Sequence, residues 1–160
     1  MAADMFLKLG TIKGESGDAK HGGEIEVLSW SWGMSQSASM HSNQGGGSGK
    51  VSVNDINITK YVDVASPTLM KMCAKGDHIE QGLLTVRKAG GTALEYLKIN
   101  LTKVIISQVS TGGSGGEDRL TETINLNFQK VDFTYTPQNA DGSGGGQVFF
   151  KFDIPAGTVT

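Results

Sequence analysis

Between clusters of glycine, apolar and polar side chains alternate along most of the chain, and a period of two marks strands that turn one face toward a core. Met5 to Leu9 predicts a short first strand. From Glu24 to Trp32 the alternation predicts a second, with Glu24, Glu26, Leu28, Trp30 and Trp32 on one face and Ile25, Val27, Ser29 and Ser31 on the other. Apolar groups on both faces imply that both are covered. Lys50 to Ile58 repeats the theme, and its Asn54-Asp55 pair predicts a bulge or an exposed edge. Three long strand regions follow at Ile79 to Lys88, Ala93 to Gln108 and Leu120 to Tyr135, and a last one at Gln147 to Ile154. Strands longer than about ten residues imply bends, or passage from one sheet to another.

One segment departs from this period. Pro67 to Lys75 predicts a short α-helix, with Ser66 as cap, Pro67 at the first helical position and Gly76 closing the last turn. Leu69, Met70, Met72 and Cys73 form its apolar stripe. A helix this short is unstable alone and must dock on a sheet. Many strands, one helix and no alternation of strand with helix give an all-β fold, a two-sheet barrel or sandwich with one flanking α-helix. No repeat of fixed period and no linker is present, so residues 1–160 are expected to form one domain.

Composition narrows the function. The 14 basic and 16 acidic residues nearly cancel, which leaves no cationic field to gather nucleic acid or anionic lipid. Cys73 is the sole cysteine, so an internal disulfide is impossible and no paired zinc spacing exists. The N-terminus carries Asp4 where a secretory signal needs basic residues, and Lys8 interrupts its apolar run. No stretch approaches the ~20 apolar residues of a membrane-spanning helix. The expectation is a protein made in the cytoplasm without a signal peptide and without membrane insertion. The 23 glycines concentrate at 45–49, 112–116 and 142–146, as expected of loops between strands.

Candidate chemistry is thin. Gly45-Gly46-Gly47-Ser48-Gly49-Lys50-Val51 resembles a phosphate loop, but Gln44 stands at the first glycine position, Val51 at the metal-binding hydroxyl position, and a strand follows where a helix is needed. Cys73 with His78 would make a nucleophilic pair only if the thiol left the helix's apolar stripe, where cysteine is an inert small hydrophobe. His21, His41 and His78 lack metal-ligand spacing. Glu117-Asp118-Arg119 reads as a solvated turn or subunit contact, and Trp30 with Trp32 as an aromatic platform or, more commonly, as core or interface. No catalytic, cofactor or metal site is expected, and the chain reads as a non-enzyme.

Several segments, in unbroken order, carry a family resemblance. They are Phe6-Leu7-Lys8, Ile12-Lys13-Gly14-Glu15-Ser16, Glu24 to Gly33, Gly49-Lys50-Val51 and Thr59-Lys60-Tyr61-Val62-Asp63. Ser66-Pro67, Leu84 to Gly91, Glu95-Tyr96-Leu97, Ser110 to Ser114 and Leu126-Asn127-Phe128 complete the set. Over about residues 5 to 137 the chain resembles the hemolysin-coregulated protein family, tube subunits of type VI secretion systems. The tail departs from that pattern, since Phe149 to Ile154 and an uncharged 155–160 replace the family's usual last strand and basic extension. The resemblance implies a two-sheet barrel and a homo-hexamer closing into a ring. It implies rings stacked into a hollow tube, a contractile sheath and a spike as partners, small effector proteins in the lumen, and ejection to the exterior by the machine. From that architecture, the loop with Met40, His41, Gly45, Gly46, Gly47, Ser48, Gly49 and Lys50 is expected to contact neighbouring subunits or rings, and Ser31 and Ser114 to face the lumen and its cargo. The alternatives are a soluble binding module, or a secreted effector acting on its own.

Overall fold

The computed structural model describes residues 3–41, 49–89 and 93–160. Strands β1 (Ala3–Leu9), β2 (Ile25–Ser31), β3 (Met34–Gln36), β4 (Val51–Val53) and β5 (Ile56–Tyr61) precede helix α1 (Ser66–Lys75). After it come β6 (His78–Lys88), β7 (Glu95–Thr111), β8 (Thr121–Tyr135), β9 (Val148–Asp153) and β10 (Thr158–Val159). The order β8-β5-β2-β1-β6-β7 returns to β8, so six antiparallel strands close a barrel. Where neighbouring strands run alongside each other, closure removes the open edge that invites aggregation, but β2 beyond Glu26 and β7 beyond Ile105 keep one unpaired side. Strands β9 and β10 extend one flank beside the second half of β8, and β3 with β4 forms a separate two-stranded arm.

The barrel closes because its strands bend, and the bends are visible as breaks in the period of two. Along β7 the buried residues run Leu97, Ile99, Leu101 and then step by three to Val104 and Ile106. Between them Lys103 takes a left-handed φ of 53°. Opposite it, β8 buries Ile124, Leu126 and Phe128 and then steps by three to Val131, while β6 steps from Ile79 to Gly82 and Leu84. The three steps line up across paired strands, so one fault crosses the sheet and turns it into two differently facing halves. This is the physical form of the bends expected from strand length.

A further bulge, between Val27 and Ser29 of β2, overturns the face assignment made from strict alternation. Trp30 pairs with buried Ile58 and packs on the core with Ile25 and Val27, whereas Leu28 turns outward. Trp32 follows Trp30 inward, its ring 6.1 Å from Phe128 and 6.4 Å from Phe133, and its Nε1–H donates to the Asn54 carbonyl at 2.9 Å. That bond helps to split the expected Lys50 to Ile58 strand at Asn54-Asp55 into β4 and β5, which belong to different sheets.

Helix α1 forms where expected, with Leu69 fully buried and Gly76 at a φ of 70° closing it through a bond to the Met72 carbonyl. A left-handed residue is cheap only for glycine. The cap assignment to Ser66 is wrong. Ala65 occupies the cap position, the Asp63 carboxylate accepts the Ala65 N–H at 2.9 Å, and Ser66 is engaged elsewhere.

Candidate assembly surfaces

The half of the barrel formed by β2, β5, the first part of β8 and the end of β7 carries an unusual outer face. Cross-strand register aligns Ser31, Asn57, Asn125 and Gln108 in one row and Ser29, Thr59, Thr123 and Ser110 in the next. Every one of these eight side chains is polar and none is ionisable. Asn57 Nδ2 donates to Asn125 Oδ1 at 2.7 Å, and Asn125 Nδ2 donates to Gln108 Oε1 at 2.9 Å. At the border Asp55 accepts from Ser107 Oγ at 2.5 Å and from Asn127 Nδ2 at 2.9 Å. The inner face of the same strands holds Ile56, Ile58, Ile124 and Leu126, all without exposure.

Sequence reasoning chose Ser31 and Ser114 individually, and the structure brings both to this face. Ser31 ends the first row, and Ser114 lines a shallow depression of about 370 Å³ with Ser110 and Thr123 of the second. The face itself had a readable signal, Ser, Thr, Asn and Gln at alternate positions of four strands, but pairing was needed to assemble it.

Beyond the fault the outer surface changes character. Lys130 lies 3.5 Å from Asp153, Lys151 lies 4.0 Å from Asp132 and Lys98 lies 3.3 Å from Glu95, all half-buried or exposed. Such pairs favour water over a dry interior. The barrel is therefore two-sided in chemistry, with a neutral sheet face and a charged one.

The arm of β3 and β4 carries the remaining assigned residues. Met40 is 88% exposed and His41, Gly49 and Lys50 are exposed, while Gly45, Gly46, Gly47 and Ser48 lie outside the described residues.

Two polar clusters that sequence reasoning missed hold the scaffold. Lys60 of β5 is fully buried, its Nζ 2.5 Å from Glu122 Oε1 and 3.0 Å from Asp63 Oδ1. Ser66 donates to the same Glu122 oxygen, tying the start of α1 to the barrel. Beside the middle of β1, His21 stacks on Phe6 with ring centroids 4.5 Å apart. Its Nδ1 lies 2.8 Å from Glu24 and its Nε2 2.6 Å from Glu95. Both nitrogens donate only in the protonated ring. Burial works against that charge, but the bonds and charges of Glu95 and Glu24 outweigh it and hold the imidazole above its ordinary 6.5. Beside them the Arg87 guanidinium, bonded to Asp18 at 2.6 Å, holds that carboxyl well below the usual carboxylate range.

The other candidates resolve as structure. His78 bonds Glu80, His41 sits in the arm and His21 in the cluster above, and among the described residues no group of three potential ligands gathers. Cys73 is half-buried on α1. Arg119 stacks over the Tyr61 ring at 3.7 Å, anchoring the exposed turn of Glu117 and Asp118. No helix among the described residues is long and apolar enough to cross a membrane.

A family model described as "Type VI secretion system effector, Hcp" matches residues 6–135. The chain belongs to the Hcp family. It is 57% identical over 156 residues to Protein hcp1 of Pseudomonas aeruginosa, covering 96% of each chain. Its fold matches the crystal structure of Hcp1 from Salmonella typhimurium at 43% identity and a TM-score of 0.83, covering 100% of both chains. A solved type six secretion system protein superposes at a TM-score of 0.93 with 30% identity, covering 99% of this chain and 100% of that one. Hcp proteins are structural tube components of type VI secretion systems and assemble as hexameric rings, and this chain is such a tube subunit.

Proposed function

We propose that the neutral outer face of β2, β5, β8 and β7 lines the bore of the tube, with Ser31 and Ser114 toward the lumen, and that the charged face lies toward the surrounding sheath. The observation that carries this reading is the pairing pattern of that sheet. Among the described residues no strand pairs with β2 from Val27 to Ser31 on the side away from β5, nor with β7 from Ile106 to Thr111 on the side away from β8. The sheet thus has two different unpaired borders. A head-to-tail ring needs two different complementary surfaces on each subunit, and such borders supply them.

A bore lined by hydroxyls and amides offers hydrogen bonds without fixed charge, so a passing polypeptide is neither repelled nor trapped by its own net charge. That suits a carrier of small effector proteins. The arm bearing Met40, His41, Gly49 and Lys50 contacts the neighbouring subunit or the next ring, and stacked rings travel with the spike when the sheath contracts. The chain leaves the cell by that route and performs no catalysis. The half-buried packing of Trp30 and Trp32 on the core favours this reading over a binding module with an aromatic platform.

Light scattering joined to negative-stain electron microscopy tests it. The expected result is annular particles with a mass near six times 16.9 kDa. Placing tryptophan at Ser114 leaves the annulus and abolishes cargo retention. A strict monomer at all concentrations overturns the ring, and cargo binding that is indifferent to Ser114→Trp overturns its place in the bore.

A further inference from the structure

The row Ser31, Asn57, Asn125, Gln108 has a property beyond being polar: it has a direction. A primary amide offers both N–H donors and a carbonyl acceptor, so amides joined by N–H···O bonds form a chain with unlike ends. Reversing the assignment of every amide reverses the chain but keeps its ends unlike. Here Asn57 donates to Asn125 and Asn125 to Gln108. Among the described residues Asn57 Oδ1 and Gln108 Nε2 have no hydrogen-bond partner, so an acceptor is left at one end and a donor at the other.

Those ends fall at the two borders of the sheet that no strand covers. Gln108 lies on β7 within the free span Ile106 to Thr111, and Asn57 lies next to Ser31 on β2, within the free span Val27 to Ser31. The bulge between Ile106 and Gln108 puts Gln108 opposite Asn125 and keeps Ile106 buried. Without that irregularity strict alternation from Ile106 would turn Gln108 inward.

We propose that this row continues from copy to copy around the ring, Gln108 Nε2 of one subunit donating to the hydroxyl of Ser31 of the partner subunit. That hydroxyl in turn donates to Asn57 Oδ1 of its own chain, and the chain of bonds closes on itself. The inference rests on the ring reading above and names the residues that set the register between subunits. Neutral groups suit the task, because copies meeting around a ring bring no like charges together and no ion has to be stripped of water. A hydroxyl serves at the joint because it both accepts and donates.

The test is dilution of the full-length protein, read as the concentration at which rings give way to monomers in sedimentation velocity. Gln108→Met keeps length and removes the donor; it also removes the Oε1 that accepts from Asn125 within the chain, a loss common to ring and monomer that leaves the midpoint to report the donor. Ser31→Ala removes the joint. Each is expected to raise the midpoint about tenfold, the scale of one lost hydrogen bond. The double variant is expected to match either single one, since both break the same link. Thr123→Val, on the same face but outside the row, is expected to stay within about twofold. A Gln108→Met midpoint equal to that of the unsubstituted protein, or losses that multiply in the double variant, overturns the junction while leaving the ring intact. Absence of rings from the unsubstituted protein overturns the ring reading itself.

Discussion

Lys60 offers the sharpest test of what holds the barrel to its helix. Its ammonium is fully buried and faces two carboxylates, Glu122 at 2.5 Å and Asp63 at 3.0 Å, with Ser66 Oγ at 3.3 Å. The Glu122 side chain has no exposure and its Oε2 has no bonding partner among the described residues. Lys60→Met deletes the only cation of the group and leaves two carboxylates facing each other in a dry site. Breaking a buried pair from one side costs about 3–5 kcal/mol. At ~2–4 °C per kcal/mol for a domain of this size, the melting temperature falls by about 6–20 °C. Glu122→Gln is milder, about 1–3 kcal/mol, because Lys60 keeps Asp63 and the amide oxygen still accepts from Ser66. The combined variant is expected to recover about 1–3 kcal/mol relative to the sum. Thermal unfolding followed by tryptophan fluorescence, at one fixed protein concentration because assembly adds stability, gives all four values. A Lys60→Met loss no greater than that of Glu122→Gln, or strict additivity, would refute the reasoning.

The remaining predictions concern the His21 cluster and the helix. His21 is held above 6.5, so its stabilising charge is fully present below that value and is lost as pH rises through the folded-state pKa. Burial pushes the Glu95 carboxyl up, but the bonds from His21 and Lys98 outweigh it, so its contribution is present above 4.5 and is lost as pH falls through its depressed value. The protection of the amides from Ser16 to Glu24, taken relative to their intrinsic exchange rate at each pH, should therefore be greatest between those limits. His21→Gln should abolish the alkaline limb, and an unchanged profile would remove the ring from the account. Leu69→Ala empties the fully buried site where α1 meets the barrel and is expected to cost about 2–5 kcal/mol in urea unfolding. A cost below about 1 kcal/mol would mean that the helix is not docked through this residue.

The alternation of side chains made the strands and the all-β class legible, and the helix was legible from Pro67 and Gly76. What escaped was everything that depends on a one-residue change of phase. The bulge at Val27 to Ser29 and the left-handed Lys103 each move later side chains to the other face, and neither position carries the glycine that usually announces such a turn. Trp30 was therefore assigned to the wrong face. Lys60 and Glu122 were invisible for a different reason. Each reads as an ordinary surface charge in its own strand, and only the register that sets them opposite each other makes burial affordable. Ser31 and Ser114 were chosen through a resemblance, whereas the neutral face that gives them company arises from four strands far apart in sequence.

That face and the buried charges belong to one arrangement. Strand β5 turns Ile56, Ile58 and Lys60 inward and Asn57 and Thr59 outward, and β8 does the same with Glu122, Ile124 and Leu126 against Thr123 and Asn125. Charge is thus placed on the inner side, where a partner neutralises it, and kept off the side proposed to meet cargo and neighbouring copies. A surface exposed to many different polypeptides gains from this, since a fixed charge there would favour some cargoes electrostatically and repel others. Ionisable groups reach this side only at its margins: Asp55 is occupied by Ser107 and Asn127, Glu26 is exposed near the start of β2, and Glu117 lines the depression that holds Ser114. The neutrality of the outer rows follows from the sheet's pairing as a whole, and it makes the row of amides, with its unlike ends, the most specific feature available for joining one subunit to the next.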